Sequence, residues 1–251
     1  MKHNQELEDI IQDAVTVRMN TKACIKSQYI STRICELTTA SVEVGFLYGG
    51  TMEKKDGKTI LDIEDIYLPI EQKITCGTFQ FIRGVSKAHT YFKENDKRII
   101  GLGHSHADFD VFHSDTDYDN LRSLVISEGS RFRYSQKKPK EETHYEECDQ
   151  TESTFETTYY ESSSIQESAK IFPSLVYNRV GNFHAGLSYF QEDFGVIEHF
   201  DIKKYNVHTA LSDEEKKEID SQLVQILEYN NLPVNQEAIH QKQTVQLDYQ
   251  I

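Results

Sequence analysis

Two apolar stretches separated by a short polar turn constrain the fold of this chain more than any other feature. Residues 41–50 (SVEVGFLYGG) are rich in β-branched and aromatic side chains, and residues 59–69 (TILDIEDIYLP) form a second such run. Residues 54–58 (KKDGK) contain Asp-Gly, a pair that tight hairpin turns favour. The sequence therefore predicts a β-hairpin whose first strand covers residues 41–50 and ends at a Gly49–Gly50 turn.

Helical and strand-like patterns alternate along the rest of the chain. Apolar residues spaced three or four apart indicate amphipathic helices, whereas β-branched runs and strict alternation indicate strands. The predicted helices cover residues 6–14, 27–40, 79–95 and 212–229, and the last begins with a capping box, Ser212 to Glu215. The other predicted strands cover residues 14–18, 98–101 and the two halves of 171–190, which a turn at 178–182 joins. Residues 118–128 fit a helix and a strand equally well.

One long segment differs in composition from the remainder. Residues 135–170 are rich in Glu, Ser and Thr and poor in aliphatic side chains, which predicts a disordered acidic insertion. The mixture of helices and strands around this insertion predicts an α/β or α+β fold. We expect an N-terminal segment over residues 1–26, a main domain over 27–210, and a C-terminal helix and tail over 211–251.

The charge balance argues against two classes of partner. The chain has 41 Asp and Glu against 27 Lys and Arg, a formal net charge of −14 over 251 residues. An acidic surface repels phosphate backbones and anionic lipid, and the densest basic run, Lys137 to Lys140, is followed at once by two glutamates. We therefore expect neither nucleic acid nor a membrane surface as a partner.

Cysteine usage and the opening residues indicate a compartment. Cys24, Cys35, Cys76 and Cys148 show no C-x-x-C spacing, which predicts reduced, mostly buried thiols rather than a disulfide framework. The opening residues MKHNQELEDIIQDA lack the apolar stretch of a secretory signal, and no apolar run is long enough for a membrane span. The expected location is therefore cytoplasmic.

The chemistry-bearing residues concentrate in residues 101–120 (GLGHSHADFDVFHSDTDYDN). His104 and His106 follow an apolar strand, and residues i and i+2 of a strand point to the same face. Two imidazoles side by side suit zinc, which in catalytic sites takes three protein ligands and keeps a position for water. Spacing alone leaves the third ligand open among six nearby candidates: Asp108, Asp110, His113, Asp115, Asp117 and Asp119.

A family resemblance narrows this choice. The pattern H-x-H-x7-S-x2-D, formed by His104, His106, Ser114 and Asp117, is similar to the signature of the JAMM (MPN-plus) metalloprotease family. Glu43, in VEVGFLYGG, matches the glutamate-bearing strand of that family. The resemblance covers about residues 27–190 and is closer to microbial members, whose motif ends V-F-x-S-G-T-D.

The resemblance implies a fold and a set of roles. The fold would be an MPN-type central mixed β-sheet flanked by helices, with residues 27–210 as the catalytic domain. His104, His106 and Asp117 would bind Zn²⁺. Glu43 would act as general base on a metal-activated water, and Ser114 would donate to the carbonyl under attack.

The resemblance also implies a substrate class. Family members cleave amide bonds, and many hydrolyse the isopeptide bond after the C-terminal glycine of ubiquitin or a ubiquitin-like protein. The expected partners are a ubiquitin-like protein or its conjugates, and a larger complex is consistent with the family. A zinc peptidase that processes another protein, such as a sulfur-carrier or phage-like protein, and an inactive MPN scaffold remain as alternatives. Two positions depart from the family pattern: Ala107 replaces a proline of eukaryotic members, and Asp115 replaces a glycine.

Simpler interpretations exist for several of these residues. Ser114 and Asp117 also have the spacing of a capping box for a helix over 115–126. His113, Asp108 and Asp110 are expected to be loop residues or partners of a ligand. The remaining histidines show no ligand spacing and are expected at the surface or in packing: His89, His144, His184, His199, His208 and His240.

Overall fold

The computed structural model describes residues 4–137, 164–205 and 210–240. Within these ranges the helices are α1 (Gln5–Ala14), α2 (Thr21–Leu37), α3 (Gly84–Lys93), α4 (Asp115–Glu128), α5 (Asp213–Tyr229) and α6 (Gln236–His240). The strands are β1 (Val15–Asn20), β2 (Gly45–Lys55), β3 (Lys58–Tyr67), β4 (Gln72–Ile74), β5 (Phe79–Phe81), β6 (Arg98–Ser105), β7 (Ser130–Lys137), β8 (Ser164–Tyr177), β9 (Phe183–Phe190), β10 (Phe194–Ile197) and β11 (Ile202–Tyr205).

The strands form one large mixed sheet. Its order is β10-β9-β8-β6-β2-β3-β1-β11, with β7 paired to β8, while β4 and β5 form a separate two-stranded sheet. The pairs β1–β3, β1–β11 and β6–β8 are parallel, and the other pairs are antiparallel. The predicted α/β class with a central mixed sheet is therefore confirmed.

The β2–β3 hairpin is confirmed, although its first strand differs from the prediction at both ends. Asp56 and Gly57 form the turn with φ angles of 51° and 77°, the left-handed values that a tight hairpin turn needs. Gly49 and Gly50 do not form a turn; β2 continues through them with a bulge in its pairing to β3.

The start of β2 is displaced because the preceding backbone bonds elsewhere. Val44 donates its N–H to the side-chain Oγ of Ser105, at 3.0 Å, rather than to a backbone carbonyl of β6. Glu43 donates its N–H to the carbonyl of Thr75 at 2.9 Å. The strand therefore begins at Gly45, and the prediction that residues 41–44 are strand is wrong.

Helices cover both faces of the sheet beside β2. Tyr48 points to α2, where its hydroxyl lies 3.0 Å from Ser27 Oγ. Gly49 faces α3, since a Cβ at that position would lie 2.0 Å from the ring of Phe92. Because successive residues of a strand point to opposite faces, α2 and α3 pack on opposite sides. The sheet core is accordingly buried on both faces.

Two predicted segments divide differently in the structure. Residues 79–95 are not one helix: Phe79–Phe81 pairs with Gln72–Ile74, and the helix begins only at Gly84. The predicted insertion at 135–170 is too wide, because its two flanks belong to β7 and β8, which pair with each other. Residues 138–163 lie outside the described residues, as does Cys148.

Strands from both ends of the described chain lie in the same sheet. β1 lies between β3 and β11, so that residues 15–20 and 202–205 extend the sheet at one edge. α5 packs against α2, where the buried Arg33 guanidinium lies 2.9 Å from the carboxylate of Asp220. The predicted capping box of α5 is confirmed.

The exposure of the cysteines differs along the chain. Among the described residues Cys24 is buried, Cys35 is half-buried and Cys76 is exposed, each as a free thiol. None of the described helices combines the length and apolar character that a bilayer crossing requires.

Candidate metal centre

The two histidines of the motif lie at the end of β6: His104 is in the strand, and His106 follows its last residue. His104 and His106 are 0% and 2% exposed, and their ring centroids are 5.0 Å apart. β6 pairs with β2 on one side and with β8 on the other, so that the strand is buried between them. The predicted same-face arrangement is confirmed. The Nδ1 atom of His106 lies 2.8 Å from the carbonyl oxygen of Asp110, which leaves Nε2 facing the cluster.

The first turn of α4 brings Asp117 to the histidines. Ser114 is the N-cap of this helix, and the predicted capping box with Asp117 is confirmed. The backbone N–H and the hydroxyl of Ser114 both donate to Asp117 Oδ2, at 2.7 and 2.8 Å. The other oxygen, Oδ1, lies 3.3 Å from His104 Nε2. The cap therefore fixes the carboxylate in an orientation that points Oδ1 at the imidazole.

Glu43 completes the group from the segment before β2. Its Oε1 lies 3.7 Å from His106 Nε2, and the side chain is buried. The bonds that displace the start of β2 also hold this segment in place, because Val44 accepts from the N–H of Ser105 and donates to its hydroxyl. The structure thus gathers Glu43, His104, His106 and Asp117, with ligand atoms that all lie within 4.8 Å of one another.

The cluster holds buried polar atoms that lack hydrogen-bond partners. Within the described part of the chain these are both ring nitrogens of His104, Nε2 of His106 and Oε2 of Glu43. An unpaired buried polar atom costs about 1–3 kcal/mol, so several in one cluster indicate a missing partner. A cation would satisfy one nitrogen of each imidazole and the Glu43 oxygen, while the other nitrogen of a neutral His104 carries a proton.

Burial and charge oppose each other at the two carboxylates. Burial raises the pKa of Glu43, although the neighbouring His104 and His106 work against this shift. At Asp117 burial also acts to raise the pKa, but the two imidazoles and the Ser114 N–H outweigh it. The pKa of Asp117 consequently lies well below its usual range. Asp117 thus stays ionised more readily than Glu43, and Glu43 is the better proton acceptor near neutral pH.

The cluster fits a zinc ion. Two ligand atoms about 2 Å from a tetrahedral metal are about 3.3 Å apart. Asp117 Oδ1 lies 3.3 Å from His104 Nε2, and the other oxygen, Oδ2, lies 3.7 Å from His106 Nε2, both close to that separation. Imidazole nitrogens with carboxylate oxygens form a donor set that zinc prefers. The Nε2 atoms of His104 and His106 both face the Asp117 carboxylate.

Four of the other five candidates for the third ligand face solvent, and the fifth, His113, is buried with its ring centroid 6.1 Å from that of His104. Asp108 is exposed and lies 3.4 Å from an Arg179 guanidinium nitrogen. Asp110 contributes only its backbone carbonyl to His106. Asp115 and Asp119 are exposed on α4. Of the six candidates that spacing left open, the structure brings Asp117 to both imidazoles.

The two departures from the family pattern lie beside this cluster. Ala107 is buried and adopts a φ of 46°, a left-handed value. Proline fixes φ near −65° and cannot adopt this conformation. The absence of proline after His106 is therefore required by the path of the backbone. Asp115 occupies the first turn of α4, where a negative charge favours the helix N-terminus.

Sequence reasoning missed a second group of ligand-type side chains. His113, His184 and Glu198 come together with ligand atoms within 4.8 Å of one another. His113 is buried, and burial together with the nearby His104 lowers the pKa of its imidazole to about 3. No local sequence pattern predicts this group, because its members lie on a loop, on β9 and after β10. His208 lies outside the described residues, as does His144.

A side chain at position 45 is expected to disturb the candidate metal centre. A Cβ at Gly45 would lie 2.2 Å from the ring of the buried Phe79, whose centroid is 5.2 Å from that of His104. Gly45→Ala is therefore expected to lower the free energy of unfolding by about 1–3 kcal/mol and to weaken zinc binding. Chemical denaturation and zinc titration measure both effects. Gly77→Ala is the matched control, because no atom lies within 4 Å of its added Cβ. Equal behaviour of the two variants would contradict the expectation.

A scan against protein-family models finds no match to this chain, and a search of curated proteins finds none either.

Proposed function

We propose that this chain is a zinc-dependent peptidase of the JAMM type, built on an MPN-type fold, which hydrolyses the amide bond after the C-terminal glycine of a ubiquitin-like protein. The observation that carries the proposal is the convergence of Glu43, His104, His106 and Asp117 in one buried cluster. These residues come from three separate segments of the chain, and they are the ones that the motif resemblance selects.

His104, His106 and Asp117 would hold the metal. When bound, zinc supplies Lewis acidity, which polarises a carbonyl and makes water more acidic. Asp117 contributes one negative charge, and its two bonds from Ser114 keep the carboxylate in position. The carbonyl of Asp110 orients the His106 ring. The chain thus supplies a rigid set of donors rather than a flexible one.

Glu43 would move the proton. Its Oε2 has no hydrogen-bond partner within the described residues, so this atom is free to accept a proton from an attacking water. Burial raises the pKa of Glu43, which brings the carboxyl closer to the range in which a base works well near neutral pH. The same carboxyl would then return the proton to the departing amine.

Ser114 would stabilise the developing oxyanion through its hydroxyl, a contribution of about 3 kcal/mol for one such donor. In the structure this hydroxyl donates to Asp117 Oδ2, and the backbone N–H of Ser114 donates to the same oxygen. The hydroxyl can therefore turn toward a substrate carbonyl while the N–H still holds Asp117. Because Asp117 Oδ2 accepts two hydrogen bonds from Ser114, the residue can cap the helix and act in catalysis as well.

The surface beside the cluster favours a protein substrate. Phe109 and Phe112 are 49% and 51% exposed on the loop between His106 and Ser114. The Phe112 ring packs edge-on against His106, with centroids 5.1 Å apart. Two exposed aromatic rings on one loop offer apolar area that a bound protein segment could bury. They would contact an extended tail that enters the cluster.

The proposal is tested in a host lysate. Lysate treated with wild-type protein is compared with lysate treated with Glu43→Gln, and lysines that carry a glycine-glycine remnant are quantified by mass spectrometry. Loss of remnants with wild type alone supports the proposal and identifies the substrates. Equal remnants in both samples contradict an isopeptidase and leave a peptidase with another substrate or an MPN scaffold, which the zinc content of the two samples distinguishes.

A further inference from the structure

A second group of metal-binding residue types, His113, His184 and Glu198, lies beside the first cluster. The ring centroid of His113 is 6.1 Å from that of His104. His113 belongs to the loop before α4, His184 to β9, and Glu198 follows β10. β9 and β10 pair in antiparallel register, which brings the residues around 184 and 198 to the same end of the ribbon. The loop before α4 then delivers His113 to that end. The three side chains are far apart in sequence, and the fold alone assembles them.

The distances within this second group suit a tetrahedral ion. Glu198 Oε2 lies 2.9 Å from His184 Nε2 and 3.9 Å from His113 Nδ1. These values lie on either side of the separation of about 3.3 Å expected for two ligands of one zinc ion. In the first cluster the corresponding distances between ligand atoms run from 3.3 to 3.7 Å.

The side chains are also oriented by partners outside the group. His113 Nε2 lies 2.8 Å from the hydroxyl of the buried Ser174, which leaves Nδ1 directed at Glu198. The Tyr118 hydroxyl donates to Glu198 Oε1, so that Oε2 is left for the group. Hydrogen bonds of this kind fix ring orientation around protein-bound metals.

Among the described residues, the Nδ1 atom of His113 is buried without a hydrogen-bond partner, which a bound ligand would explain. The side chain of His113 is 0% exposed, and its Nδ1 has no hydrogen-bond partner in the described ranges. An ordinary His184–Glu198 ion pair would account for two members of the group and would leave this nitrogen unsatisfied. A cation bound by all three side chains would satisfy it.

We propose that His113, His184 and Glu198 bind a second divalent transition-metal ion, with zinc as the ion that best fits two imidazoles and one carboxylate. The ion ties the loop before α4 to β9 and to the residue after β10. That loop ends at Ser114, so the second ion stabilises the segment that places Ser114 and Asp117. This proposal goes beyond the proposed function and does not depend on it.

The test counts zinc ions bound to the full chain. Stripped protein is equilibrated with buffered Zn²⁺, and bound zinc per chain is measured by plasma mass spectrometry. We expect about two ions for wild type and about one for Glu198→Gln or His184→Gln. His89→Gln is the matched control, because His89 pairs with Glu128 at 2.8 Å and neither residue belongs to either group. Glu198 is exposed, so its substitution is expected to leave the fold intact, which circular dichroism of each variant checks.

A double variant separates this proposal from the first cluster. His104→Asn with His106→Asn is expected to bind about one zinc ion, and adding Glu198→Gln to it is expected to abolish binding. Zinc content in Glu198→Gln and His184→Gln equal to that of His89→Gln overturns the second site. Zinc content unchanged by the double variant would instead contradict the first cluster, so the two failures are distinguishable.

Discussion

Glu43→Gln is expected to lower kcat by about 10²- to 10⁴-fold while zinc remains bound. Glutamine keeps the size of the side chain but cannot accept a proton from water at neutral pH. The backbone bonds that hold this segment involve Thr75 and Ser105 rather than the Glu43 carboxylate, so the segment stays in place. The measurement is the hydrolysis rate of a ubiquitin-like protein amide-linked through its C-terminal glycine, with zinc content determined on the same preparation.

The result also decides between an open and a closed metal centre. Glu43 lies 3.7 Å from His106 Nε2, near enough to act as a fourth ligand instead of a base. In a closed four-ligand centre, Glu43→Gln weakens zinc binding, as expected of a structural ion. Glu71→Gln is the control, since Glu71 pairs with Lys87 on the surface. Full activity in Glu43→Gln, or loss of zinc together with activity, would contradict the role proposed for Glu43.

Asp117→Ala is expected to weaken zinc binding by about 100-fold or more, because even the partners of metal ligands contribute about 10- to 100-fold. The substitution removes the Oδ1 atom beside His104 and the Oδ2 atom that Ser114 caps. Zinc at 100 times its dissociation constant stabilises a protein by about 2.7 kcal/mol. Measured in the Glu198→Gln background, which removes the second proposed ion, the chain with Asp117 should gain that stability and Asp117→Ala should gain almost none. Thermal unfolding with and without Zn²⁺ measures the difference.

A second capping box in the same chain provides the control for Asp117. Glu215 occupies the equivalent position of α5, where it caps Ser212 and bonds no member of the metal cluster. Glu215 also pairs with Lys22 at 2.7 Å. Glu215→Ala is therefore expected to cost about 1–2 kcal/mol of stability from the lost cap and ion pair, and to leave the zinc effect intact. If Asp117→Ala retains the zinc effect as Glu215→Ala does, Asp117 is a cap and not a ligand.

The parts of the fold that were predictable depend on local signals. Asp56 and Gly57 adopt the turn that their residue types favour, and the hairpin follows from it. Ser212 and Glu215 begin α5 where the capping pattern places the start of a helix. In both cases the interacting residues are within a few positions of one another. Such signals can be read without knowledge of the rest of the chain.

The errors occurred where residues outside a segment decide its structure. Phe79–Phe81 is strand because it pairs with Gln72–Ile74, although its apolar spacing continues that of the following helix. The first residues of the 41–50 stretch leave the strand because Val44 bonds to the side chain of Ser105, 61 positions away. In each case, pairing with residues outside the segment overrode its local preference.

The candidate site shows the same limit. The same-face position of His104 and His106 follows from strand geometry, but spacing alone left six third ligands open. Only the motif resemblance selected Asp117. Asp117 reaches the histidines because the loop after His106 returns to them at the start of α4. His184 lies on β9 and Glu198 follows β10, and the two carry no shared sequence pattern. Their association with His113 required the three-dimensional fold.

Restoration of activity by zinc tests the central claim most directly. Wild-type protein is stripped of metal with a chelator and assayed for hydrolysis of a glycine–lysine isopeptide bond before and after addition of Zn²⁺. The account predicts no cleavage by the stripped protein, recovery on addition of zinc, and no recovery in the His104→Asn and His106→Asn double variant. Cleavage by the stripped protein at the wild-type rate, or equal recovery in the double variant, would contradict it.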